Sequence, residues 1–220
     1  MSGIVTPGAV NNAVQAHPIA STDHHDHQAA DSPALQSLAG VAAIGAGIAW
    51  IVWAAINART HGGLDVGAAA VGEPLARLGA LLMVSWNVLL LPAAVAFDAH
   101  MRKRSSAVAN LVSLAGVTAL LFWAFGGATH TITPTLEVSY LALSALWWGG
   151  IGAHFRRQRP AFGIFTLVLA GFALWDAILT AFEPVPWGLY LTAAPKLPLA
   201  IVWDFWVAWV LAMRGRVNLS

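Results

Sequence analysis

The sequence predicts an all-α fold: a polytopic integral membrane protein, a bundle of six transmembrane helices behind a disordered N-terminal tail. Three observations carry that prediction. Apolar residues fill 58% of the 220 positions and charged residues 10%, where a soluble domain has about 25% charged. With 11 basic and 10 acidic side chains, the chain cannot cover a soluble body of this size in polar surface; its mean hydropathy of +0.69 points the same way. Finally, the apolar residues fall into separate runs, each long enough as a helix to cross about 30 Å of hydrocarbon. Such runs are not the alternating pattern of a closed β-barrel.

The tail comes first. Residues 1–36 contain no Lys or Arg and are rich in Ala, Ser, Asn, Asp, His and Pro. They lack the basic region and apolar run of a secretory signal, and their composition predicts disorder. Within them stands Asp23-His24-His25-Asp26-His27, flanked by His17 and Asp31. Imidazoles and carboxylates suit zinc, nickel or copper, so His24, His25 and His27 form a candidate weak metal site. The alternative is a solvated polar tract with no ligand.

Six spans follow in the second unit, residues 37–220: roughly 37–58, 77–99, 107–128, 137–154, 161–182 and 188–213. Short connections make adjacent spans antiparallel. Pro92 should kink span 2, and Pro195 and Pro198 should interrupt span 6 near its start. Eight of the 11 basic residues lie on one side: Arg102, Lys103, Arg104, Arg156, Arg157, Arg159, Arg214 and Arg216. The positive-inside rule then places both termini in the cytoplasm, in a multi-pass protein of the cell (inner or plasma) membrane. A short internal repeat, Ala99-His100-Met101-Arg102 and Ala153-His154-Phe155-Arg156, is offset by two spans. Its units would be parallel, not inverted.

Ionisable residues inside a span are expensive and so informative. Asp98, His100 and His154 lie at span ends and read as interfacial, with Asp98 close to Arg102. Asp176, Lys196 and Asp204 lie deeper. Asp176 is about 9 Å from the outer end of span 5, and Lys196 about 12 Å into span 6. Their matched depth on consecutive antiparallel helices predicts a pair. Asp204, about 12 Å deeper still, is level with Asn87 in span 2, which makes Asn87 its expected partner. These four are the candidate polar site. An Asp–Lys staple fixing the hairpin of spans 5 and 6 is the competing account.

Glu137, Glu183 and His130 form the outer rim of the same region, with Tyr140, Trp187 and Tyr190 at headgroup level. Of the 11 tryptophans, Trp86, Trp175, Trp203 and Trp206 lie within spans near the charged residues and are the candidate pocket lining. An indole N–H in hydrocarbon needs an acceptor or a ligand; bulky packing is the plainer role. Ala43, Gly47, Gly149, Gly150 and Gly152 permit close helix approach, within the chain or with a partner subunit.

Several chemistries are excluded. Zero cysteines remove disulfides, thiol catalysis and iron–sulfur clusters. No GxSxG, P-loop or GxGxxG is present, no cofactor is expected, and a net charge of +1 suggests no nucleic-acid partner. Three functions remain. One is a site between spans 2, 5 and 6 that binds or transports a small amphiphilic or apolar molecule. Another is a membrane enzyme on a lipophilic substrate, with Asp176 or Asp204 as acid. The third is an accessory subunit of a larger membrane complex, its polar residues acting as staples. The expected partners are membrane lipids, a lipophilic small molecule, and a membrane protein or second copy of the chain.

Overall fold

The computed structural model describes residues 32–61, 74–129, 133–182 and 186–217. Every regular element among them is a helix: α1 (Pro33–His61), α2 (Pro74–Arg102), α3 (Ser106–Thr129), α4 (Pro134–Phe155), α5 (Pro160–Phe182) and α6 (Pro186–Val217). Five of the six open on a proline, a residue whose fixed φ and missing N–H suit the first helical position. At α1 the Ser32 hydroxyl accepts from the Leu35 N–H at 3.2 Å. At α4 the Thr133 hydroxyl does the same for Leu136, also at 3.2 Å. These caps place the helix starts three or four residues earlier than the apolar runs alone suggest.

Even the shortest helix, α4 with 22 residues, is about 33 Å long at 1.5 Å per residue. Four helices have stretches long and apolar enough to cross a membrane: Pro33–Ile56, Arg77–Arg102, Ser106–Gly126 and Pro160–Phe182. In α4 the hydropathy is diluted by Glu137, Tyr140, two tryptophans and three glycines.

The expected interruption of span 6 does not occur. Helix α6 runs unbroken through Pro195 and Pro198, as α2 runs through Pro92. A proline deletes one i→i−4 hydrogen bond and can bend a helix, but packed neighbours hold the two halves together.

Each helix packs against its neighbours in sequence, and α6 returns to pack against α1. The result is a closed ring of antiparallel helices. Two of its seams are tight because small residues meet there. A Cβ on Gly163 of α5 would lie 2.4 Å from the Arg156 backbone nitrogen, and one on Gly150 of α4 would lie 2.3 Å from Val112 of α3. The α4 glycines therefore serve packing within the chain.

Aromatic side chains reach across the ring. Phe97 of α2 meets Phe155 of α4 at 5.6 Å, and Phe162 of α5 and Trp203 of α6 at 6.3 Å each. Trp147 and Trp148 of α4 stand edge-on to Trp203 at 5.5 and 5.9 Å. Outward, the ring presents large apolar side chains: Val41, Leu81, Leu114, Phe125 and Phe182 are 63–82% exposed. Its interior is where the polar residues are.

Candidate functional site

The site descends from the end of the ring where α4 and α6 begin and α5 finishes. Six residues before the end of α5, Asp176 forms an ion pair with Lys196 of α6. Glu137, in the first turn of α4, interacts electrostatically with both. One ammonium therefore faces two carboxylates at this level.

Below it, the Tyr140 hydroxyl pairs with that of Ser144, four residues on along the same face of α4. Trp123 of α3 stacks on the Tyr140 ring at 4.4 Å. The phenol lies within electrostatic range of Glu137 above and of Asp204 further in.

Asp204 is fully buried, and its Oδ2 accepts the indole N–H of Trp86 at 2.8 Å. Trp86 is held in turn by a stack from α1: Trp50 lies 4.7 Å from it and Trp53 4.5 Å beyond. The other oxygen of Asp204, Oδ1, has no hydrogen-bond partner, and neither has Oδ1 of Asn87. Two acceptors are thus left open in the interior, where an unmet polar group is costly.

Asn87 is not the partner that equal depth predicts. It turns its amide N–H to the Met83 carbonyl, at 2.8 Å, while its neighbour Trp86 supplies the donor. One residue is 100° of helix rotation, enough to change which side chain faces α6.

The four tryptophans also divide. Trp86 alone touches the carboxylate. Trp203 is fully buried but gives its N–H to Thr166 of α5 at 3.1 Å, and Thr166 passes a bond to the Phe162 carbonyl at 2.8 Å. Trp206 packs on Phe162 and Phe165. Trp175 is 53% exposed and faces outward, so it does not line the interior; adjacency to Asp176 in sequence sends it to the other side of α5. Glu183, His130, His24, His25 and His27 lie outside the described residues.

Sequence reasoning passed over Ser144, Thr166 and the α1 stack, and set Tyr140 at headgroup level although it is buried. A signal existed for the first. Glu137, Tyr140 and Ser144 are spaced i, i+3, i+7, one stripe of a helix.

The opposite end of the ring holds a separate polar group. Asp98 accepts from Arg102 at 2.6 Å and from Ser113 of α3 at 2.7 Å, tying α2 to α3. The repeat histidines His100 and His154 meet with ring centroids 5.0 Å apart, and His100 lies 3.3 Å from the Gln158 side-chain oxygen. Among the described residues, no three His, Asp or Glu side chains converge as metal ligands would.

Comparison with protein-family models, with curated proteins and with solved structures finds no match to this chain. The arrangement itself offers a paired charge at one end, hydroxyls beyond it, and a dry carboxylate with one free oxygen. That set can bind a proton or a donor-bearing molecule.

Proposed function

We propose that the protein is a six-span integral membrane protein of the cell membrane, with both termini cytoplasmic, that binds or transports a small amphiphilic or apolar molecule. The binding site is the polar, tryptophan-walled region between α2, α5 and α6. One observation carries this reading: Asp204 is fully buried yet keeps an unpartnered oxygen beside Trp86. A group whose only role was to join two helices would have both oxygens met. The apolar outer face of the ring and its lengths of helix support a lipid setting.

A second reading has its own support. The Asp176–Lys196 pair is internally satisfied, as in an accessory subunit whose buried charges only hold its hairpin together.

Native mass spectrometry of the full chain, released from nanodiscs, tests the choice. A small molecule should co-purify with the wild-type protein and be lost from Asp204→Asn, with helicity unchanged. A bare wild-type protein that instead carries a second membrane polypeptide would favour the subunit.

A further inference from the structure

Resting on that reading of an intramembrane polar site, we propose that Asp204 is a proton-carrying group, supplied from the Glu137 end of the ring through the Tyr140–Ser144 hydroxyl pair. The observations are geometric. Among the described residues no cation pairs with Asp204: its one polar contact is the Trp86 indole, which reaches Oδ2 and leaves Oδ1 open. Lys196, two helical turns earlier on the same helix, is committed to Asp176. A fully buried carboxyl with no counter-charge has one ion that fits without a cavity, the proton.

The supply route is built from groups that exchange protons. Glu137, Asp176 and Lys196 stand at the mouth, one ammonium among two carboxylates. Tyr140 and Ser144 are bonded to each other on one face of α4, and Tyr140 senses charge on both Glu137 and Asp204. In each step a hydroxyl gives up its proton on one side as it gains one on the other, with water bridging where side chains do not touch. The last step forms an O–H bond at Asp204 Oδ1. No electron moves, and the chain of hydroxyls ends as it began.

The groups facing Asp204 come from several helices. Trp86 and Asn87 lie on α2, and Trp50 of α1 is reached through the stack. Tyr140 lies on α4, and Lys196 on its own helix. Of these only Tyr140 and Lys196 titrate. Lys196 is tied to Asp176, which makes Tyr140 the natural donor.

The test is infrared difference spectroscopy of the full chain in lipid nanodiscs across pH. A carboxylic-acid carbonyl band should appear and vanish reversibly, and should be absent from Asp204→Asn. In Tyr140→Phe the band should persist but rise more slowly, by about tenfold or more, after a pH jump. Should Asp204→Asn fail to fold, Trp86→Phe serves: loss of its bond should move the titration midpoint by about one pH unit. A wild-type protein with no titrating band overturns the proposal. So does a band that survives in Asp204→Asn, one that is lost there yet never titrates, or a midpoint unmoved in Trp86→Phe. If the proton is absent while a small molecule still binds in an Asp204-dependent way, this inference fails and the binding reading stands. If the band titrates but no molecule is ever bound, the converse holds.

Discussion

Removing Lys196 should damage the protein more than removing Asp176, and removing both should cost far less than the two losses added. The pair is largely withdrawn from the surface, with side chains 17% and 7% exposed. Lys196→Met leaves Asp176 stranded and takes from Glu137 its only attractive charge there. Stranding one partner of a buried pair costs about 3–5 kcal/mol. Asp176→Asn is milder, about 1–3 kcal/mol, because the amide still accepts a hydrogen bond and Glu137 still balances the ammonium. The double variant leaves only Glu137 without compensation, near the mouth of the ring. Its loss should fall short of the sum by about 2–3 kcal/mol, as expected for charges in direct contact. Equilibrium unfolding in mixed micelles, run as a double-mutant cycle, measures this. Additivity to within about 0.5 kcal/mol would mean the two charges do not interact. Equal damage from both single variants would refute the sharing of Lys196 with Glu137.

Three other outcomes are expected. A Cβ at Gly116 would sit 2.5 Å from the Trp147 indole, whereas one at Gly171 meets nothing within 4 Å; Gly116→Val should lose about 1–3 kcal/mol and Gly171→Ala should gain up to about 1 kcal/mol in thermal unfolding. Deleting residues 1–31 should leave the melting temperature nearly unchanged, while Ser32→Ala, which removes the α1 cap, should cost about 1 kcal/mol. Reporter fusions after Ser220 and within Thr131–Pro134 should give opposite signals, and matching signals would overturn the orientation read from the arginines.

The helices were legible because apolar runs and their flanking prolines mark them directly. Depth was legible too: counting residues from helix ends brought Asp176 and Lys196 to one level, and they are paired. Rotation was not. Trp86 rather than Asn87 reaches Asp204, and Trp175 points away from the interior that holds Asp176. Each error is a turn of 100° about a helix axis. The cause is physical: these helices are apolar all round, so no polar face reveals which side turns inward. The prolines of α6 misled for another reason, since a helix packed along its length tolerates a missing bond that would end an isolated one.

The closing seam between α6 and α1 also sets an order of events. A chain emerging from its amino end lays down α1 to α5 as an open row, with Trp86 and Asp176 already in place and no companion for either. Lys196 and Asp204 arrive together on the last helix, which is also the one that meets α1. Its docking neutralises one stranded carboxylate, gives Trp86 its acceptor, and seats Phe205 against Gly47, where a Cβ would stand only 3.0 Å away. A chain truncated before α6 would carry an unmet aspartate and an open flank, the features by which membrane quality control recognises an unfinished protein.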